Sequence, residues 1–216
     1  MINLKIKAVI FDVDGTLVDS LDFIVDTFVE AAKEAGFQIK SEDVKKLVGI
    51  PGREIIKRVL KISDPQKIEE IRRRWNKIQR ETYAKRVKPY PGVREILEYL
   101  KKRGFKLAVA TSLLSKKAKE VLQIFNIEKY FDTCVAADNV KRAKPSPDVF
   151  LEAAKRLKVN PEECIIVGDT EYDVMAAKKA KMKIALFDPK KQGLKSVKIK
   201  PDYIIHSYQE LKKILQ

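Results

Sequence analysis

Two cysteines and one histidine in 216 residues leave little soft or imidazole chemistry to build with. Cys134 and Cys164 fall one each in two strand-like runs, which reads as two separate, reduced, buried thiols and excludes a disulfide framework. The lone histidine, His206, ends the last strand-like run and reads as structural. No apolar run approaches the ~20 residues that span a bilayer. The opening segment, MINLKIKAVIF, enters a β-branched apolar run too early to hold a signal peptide, so a cytoplasmic protein without a membrane partner is expected. Internal repeats and low-complexity segments are also missing.

Negative charge is in deficit: 45 Lys and Arg stand against 30 Asp and Glu, a net charge of +15. Such an excess raises the question of a nucleic-acid partner. The basic residues, however, are interleaved with Glu on helical stretches (KIEEIRRRWNKIQRE, REILEYLKKRG), the pattern of a solvated surface, and no specific nucleic acid is expected. What remains of the charge argument is long-range attraction of anionic substrates. Abundant Lys, Arg and Glu beside so little His and Cys also looks like a thermophile's composition. With 45% hydrophobic and 35% charged residues the chain is a folded one. Its length allows one well-buried core with a smaller appended domain.

The chain is organised around residues 7–20, KAVIFDVDGTLVDS. Ala8, Val9, Ile10 and Phe11 read as a buried strand of a parallel sheet, and the run stops at two carboxylates, Asp12 and Asp14. Strand ends are where α/β sheets keep their chemistry. Gly15 permits a turn that lets both acids face one small volume. Two negative charges held that close ask for a hard, oxygen-seeking cation such as Mg²⁺.

Residues 19–36 then follow the helical period through Leu21, Ile24, Val25, Phe28, Ala31, Ala32 and Ala35, with Gly36 able to cap the end. Further helices are expected from Ser41, over 53–61, and from the N-cap pair Asp64-Pro65, the last with a stripe of Ile68, Ile71, Trp75, Ile78 and Thr82. Trp75 reads as core. Residues 19–87 thus form an all-helical insertion, a cap domain, whose exit, 87–92, has the prolines and glycine of a linker. Residues 1–18 and 88–216 form the core. From Val93 helices and strands alternate: helix 93–103, strand 105–111, helix 115–125, strand 133–137, helix 147–157, strand 164–168, helix 172–180, strands 183–187 and 203–205. A final helix opens with the capping-box spacing of Ser207 and Glu210. The alternation predicts an α/β fold, a three-layer, Rossmann-like, mostly parallel sheet carrying the inserted helical cap.

Successive strand ends deliver polar residues. Thr111-Ser112 offers hydroxyls and an amide for a phosphoryl oxygen, or a turn or helix cap. Lys144, in AKPSPDVF, is fixed ahead of two prolines and can neutralise a nucleophile's neighbour and a phosphate together. Asp169 and Asp173 lie four apart where a helix begins and point the same way, though Asp169 alone could be an N-cap.

These pieces, in this order, resemble the haloacid dehalogenase-like (HAD) hydrolase superfamily in the form carried by its phosphatases: the Asp-x-Asp-Gly-Thr segment, the strand-end Thr/Ser, the lysine before proline, and the Gly-Asp-x-x-x-Asp segment. The resemblance covers essentially the whole chain, cap included, and is nearest to phosphoglycolate phosphatase and β-phosphoglucomutase-like members. It implies Asp12 as nucleophile, Asp14 as general acid and base, and Thr111, Lys144 and the amides beside Gly15 and Ser112 around the phosphoryl oxygens. It further implies Mg²⁺ on Asp12, the main-chain carbonyl of Asp14, and Asp169, with Asp173 nearby. The expected function is Mg²⁺-dependent removal of phosphate from a small phosphorylated metabolite through an aspartyl phosphate, by a monomer or homodimer. The alternatives are a sugar phosphomutase of the same fold and, in another class, a non-catalytic phosphate- or nucleic-acid-binding protein. Asp14 and Asp169 argue against the metal-free dehalogenases, and cap lysines Lys45 and Lys46 are weak candidates for a phosphonatase Schiff base. In the cap loop 49–53, Arg53 is suited to a carboxylate or second anionic group of a substrate. One departure stands out: Lys181 occupies a position where the family often has glycine, which costs about 1 kcal/mol if the residue turns left-handed.

Overall fold

The structure, a computed structural model, describes residues 6–191 and 199–216. The first five residues of the opening segment lie outside them. In chain order the elements are Ala8–Phe11 (β1), Val18–Asp19 (β2), Leu21–Glu34 (α1), Ser41–Lys45 (α2), Gly52–Leu60 (α3), Pro65–Arg86 (α4), Lys88–Pro89 (β3) and Val93–Lys102 (α5). They continue with Lys106–Ala110 (β4), Ser115–Ile124 (α6), Thr133–Val135 (β5), Asp148–Leu157 (α7), Cys164–Gly168 (β6), Glu171–Lys179 (α8), Lys183–Phe187 (β7), Tyr203–Ile205 (β8) and Tyr208–Ile214 (α9).

Six strands form one sheet in the order β5-β4-β1-β6-β7-β8, and every neighbouring pair is parallel. Alternate residues of each strand feed two different cores. Val9, Phe11, Leu107, Val109, Ile165 and Val167 pack with the apolar faces of α5, α6 and α9. Ala8, Ile10, Ala108, Ala110, Ile166 and Ile184 pack with α7 and α8. Cover on both faces explains why the strands read as unbroken apolar runs. The chain leaves β1 toward β4 and β5, then returns to β6 on the other side of β1. The strand order therefore reverses around β1, and the carboxyl end of β1 opens into the crevice that such a reversal creates.

Helices α1 to α4 pack on one another around Phe28, Ile56, Ile68, Ile71 and Trp75. Trp75 is core, as expected: its ring meets Phe28 edge-on at 4.8 Å and its Nε1 donates to Thr27 Oγ1 at 3.0 Å.

The structure corrects several sequence expectations. Asp19 belongs to no helix; it pairs with Lys88, and Val18 with Pro89, in a short antiparallel ribbon that ties the entry of the helical segment to its exit. The apolar stripe of α4 is buried at Ile68, Ile71 and Trp75 but ends on Tyr83, not Thr82, which turns back to the Ile78 carbonyl. Ser207 makes no side-chain cap and Glu210 accepts from the amide of His206, one residue before the N-cap, so the expected capping box is replaced by this single bond. Cys164 is buried, but Cys134, on the edge strand β5, is half-buried; both thiols are free. His206 follows β8 and holds the Asp188 carbonyl with Nδ1 at 2.6 Å.

Candidate active site

The tight loop after β1 aims the first motif. The Asp12 amide donates to the Val167 carbonyl, continuing the sheet by one residue, and the Asp12 carboxylate accepts from the Val13 amide at 2.8 Å. Leu17 and Val18 then donate back to the Val13 carbonyl, and Gly15 turns at φ 75°. A Cβ on Gly15 would collide with the Asp169 carboxylate, so glycine is required for both conformation and space. Thr16 donates to Asp169 Oδ1 at 3.0 Å, and the Tyr208 hydroxyl to the Thr16 carbonyl at 2.7 Å, which fastens this loop to β6 and to α9.

The later motifs converge on it. Lys144 Nζ lies 3.1 Å from Asp12 Oδ2 and 2.7 Å from Asp173 Oδ1, and its side chain is 1% exposed. Asp173 is held from behind, its Oδ2 accepting from the Thr170 amide and hydroxyl in a capping box that starts α8. Carboxylate oxygens of Asp12, Asp169 and Asp173 all lie within 4.8 Å of one another. Thr111 is buried at the end of β4, with Ser112 beside it.

Electrostatics make this a strained grouping. Burial pushes Asp12 up to about 7, Asp173 adding to the effect and Lys144 opposing it. Asp169 is driven well above the ordinary carboxylate range by burial, then by Asp173 and Asp12. Burial works against the Lys144 charge, but Asp12 and Asp173 outweigh it and hold the ammonium above its usual range. When all three are ionised, these carboxylates facing one ammonium carry two excess negative charges. All the free donors are hard oxygens, and that is the donor set a divalent cation fits. Asp14 stands slightly apart: its Oδ1 accepts from Ser20 Oγ at 2.6 Å, and burial raises its pKa against the pull of Ser20 and Lys117.

A cleft of about 330 Å³ opens in front of Asp12 and Asp14, walled by the 48–55 segment and α4 on one side and by 111–121 on the other. Arg53 lines it, 3.6 Å from Glu69. Ser112 also lines it, but its hydroxyl donates to the Gly49 carbonyl at 2.7 Å, so it joins the core to the loop above. Gly49, at φ 107°, leaves room there for Thr170, whose Cγ2 lies 2.8 Å from where a Cβ would be. Lys45 and Lys46 line a different cleft, on the Asp169 side. The sequence expectations did not include Ser20, Thr16 or Tyr83. Ser20 and Thr16 lie inside the first motif and could have been suspected as its supports; Tyr83 carries no local signal.

A parallel α/β sheet with buried carboxylates and a lysine grouped at its switch point, facing a cleft, is an arrangement suited to phosphoryl transfer. Residues 9–187 match the family model described as haloacid dehalogenase-like hydrolase, and the chain belongs to that family. It is 32% identical over 211 residues to the pyrophosphatase PpaX of Halalkalibacterium halodurans, covering 96% of each chain. To the phosphoglycolate phosphatase of Aquifex aeolicus it is 36% identical over 185 residues, 83% of this chain and 84% of that one. Its structure superposes on the crystal structure of a predicted phosphoglycolate phosphatase from Haemophilus somnus with a TM-score of 0.85 at 25% identity, covering 98% of both chains. The protein is a phosphatase of small substrates.

Proposed function

We propose that this phosphatase is Mg²⁺-dependent and works through an aspartyl phosphate on Asp12, with residues 19–87 as the cap over its substrate and 1–18 with 88–216 as the core. One observation carries the reading: a buried carboxylate at the switch point, 3.1 Å from a buried lysine, faces a cleft that a second carboxylate, Asp14, also lines. An Asp12 oxygen attacks phosphorus while the bond to the leaving oxygen breaks, and Asp14 gives that oxygen its proton. Burial around Asp14 favours the protonated form this step needs. Asp14 then takes a proton from the water that attacks the aspartyl phosphate, and the bond from phosphorus to Asp12 breaks.

Lys144, Thr111 and the amides beside Gly15 and Ser112 hold the phosphoryl oxygens, and Lys144, anchored by Asp173, keeps Asp12 oriented. Asp12, Asp169 and the Asp14 carbonyl would hold Mg²⁺, with Asp173 adjacent; when bound, the ion neutralises charge on the phosphoryl group. Arg53 is placed to meet an anionic part of the substrate. We infer a cytoplasmic setting; no helix among the described residues is long and apolar enough to cross a membrane.

The test is hydrolysis of 4-nitrophenyl phosphate by the purified chain with Mg²⁺ and with chelator, beside Asp12→Asn. Mg²⁺-dependent turnover that disappears in the variant is expected; turnover surviving Asp12→Asn overturns the assignment. A hexose phosphate run in parallel shows whether the enzyme interconverts esters as a mutase or only hydrolyses them.

A further inference from the structure

Beyond Asp14 the cleft is electrically one-sided. Lys117, on α6, is half-buried, and its ammonium sits 4.4 Å from the centre of the Tyr83 ring, over its face. Tyr83 comes from the last turns of α4, is 4% exposed, and packs edge-on against Phe23 at 5.3 Å. Its hydroxyl is buried without a hydrogen-bond partner among the described residues. A buried orphan hydroxyl is costly unless something outside the chain satisfies it. Arg80, one turn earlier on α4, lines the same cleft. It acts on Lys117 as a like charge, which together with burial depresses the Lys117 pKa; Glu120 and Asp14 oppose them. Asp14 has its own work beside the scissile bond. Two cations and an unpaired donor therefore share the cleft lining, where the carboxylates are Asp12 and Asp14 on the floor and Glu120.

We propose that Tyr83, Lys117 and Arg80 form a subsite for a second anionic group, a carboxylate or phosphate, carried by the leaving portion of the substrate. The direction follows from the mechanism. Asp14 protonates the leaving oxygen, and Lys117, Arg80 and Tyr83 line the same cleft as Asp14. Groups next to Asp14 in the cleft thus face what departs, not the phosphoryl group that Lys144 and Thr111 hold. An anion there places a charge between Lys117 and Arg80, accepts from the Tyr83 hydroxyl, and removes the repulsion between the two cations. A neutral leaving group leaves all three unsatisfied. The subsite rests on the phosphatase reading for its orientation but not for its existence.

Two measurements separate the two. In the first, binding of phosphonoacetate and of methylphosphonate is followed by calorimetry in excess Mg²⁺. The wild-type chain should bind phosphonoacetate at least about tenfold more tightly. Lys117→Met should erase most of that preference, and Arg80→Gln and Tyr83→Phe should reduce it about threefold to tenfold. Lys119→Met, which removes the same charge from an exposed position of the same helix, should leave it unchanged. In the second, the ratio of kcat/KM for 2-phosphoglycolate or pyrophosphate to that for 4-nitrophenyl phosphate should collapse in Lys117→Met, chiefly through KM, and be partly restored in Lys117→Arg. The ester that loses more distinguishes a carboxylate from a phosphate as the natural group.

Equal wild-type binding of the two phosphonates, or a preference that survives Lys117→Met, overturns the subsite even if the aryl ester is hydrolysed. A binding preference that follows the variants in a chain that hydrolyses no ester upholds the subsite and overturns the phosphatase reading.

Discussion

The floor and the wall of the cleft are built on opposite plans. On the floor, Asp12, Lys144 and Asp173 are almost completely buried, each set by a strand end, a proline-bounded loop or a helix start, and each is within 3.1 Å of a charged partner. On the wall, Arg80 is exposed and Lys117 half-buried, on α4 and α6 respectively. In the proposed reaction, the floor holds charge rigidly where a phosphoryl group changes bonding. In the proposed subsite, the wall presents charge to whatever the rest of the substrate carries. This contrast predicts that floor substitutions change turnover and stability by large amounts, whereas wall substitutions change selectivity.

Asp12→Asn should have the largest effect, lowering kcat on 4-nitrophenyl phosphate by at least about 10³-fold. Because burial disfavours the Asp12 charge in the metal-free protein, the same variant should melt at a higher temperature than wild type at pH 8 without metal. A metal-free variant that melts lower would show that Asp12 is held by attraction to Lys144 more than it is penalised by burial. Lys144→Met comes next. It leaves three crowded carboxylates without their one ammonium and should cost about 3–5 kcal/mol in urea unfolding of the metal-free protein. A loss below about 1 kcal/mol would mean that the lysine is dispensable for holding the floor together.

That division also sets what a reader of the sequence alone can find. Asp12 and Asp169 directly follow strands, Lys144 sits in the proline-bounded loop after β5 and Asp173 in the first turn of α8, and the strands announce themselves as β-branched runs. The topology then brings the four together without further information. The helical insertion was legible for the same reason, since the period of Ile68, Ile71 and Trp75 is a local property. The ribbon of Val18–Asp19 with Lys88–Pro89 was not, because two-residue strands have no period and exist only by pairing across some seventy residues. Ser20 stands at the N-cap of α1 but donates its hydroxyl to Asp14 and caps no helix amide, a role no local pattern announces. Tyr83 and Lys117 meet only when α4 lies against α6, and neither helix alone signals it.

The floor should also be visible in pH dependence. Asp12 moves from an ordinary 3.8 to about 7 in the folded chain, so between those values the folded state binds more protons than the unfolded one. Stability of the metal-free protein from this group is therefore fully present below about pH 4 and is lost as pH rises to about 7, a change on the order of a few kcal/mol shared with Asp169. A divalent ion replaces the missing positive charge, so added Mg²⁺ should raise the melting temperature more at pH 8 than at pH 5. Equal increments at the two pH values would place the ion elsewhere.

The smallest expected effect lies away from both surfaces and serves as their control. Helix α8 ends with the Met182 amide on the Ala177 carbonyl at 3.0 Å and the Lys181 amide on the Lys178 carbonyl at 3.1 Å, with Lys181 at φ 58°. This paired closure needs a left-handed residue, which glycine adopts without strain and lysine does not. Helix α7 closes in the same way on Lys158 at φ 56°. Lys181→Gly relieves the strained turn but gives the unfolded chain more freedom, so the gain should be only about 0.5–1 kcal/mol, or a rise of about 1–4 °C in melting temperature. Lys181 touches neither cleft, so kcat/KM should stay within error on every ester. A stabilised variant with altered kinetics would show that α8 transmits strain to Asp173 at its other end, and the floor would then be less rigid than its burial implies.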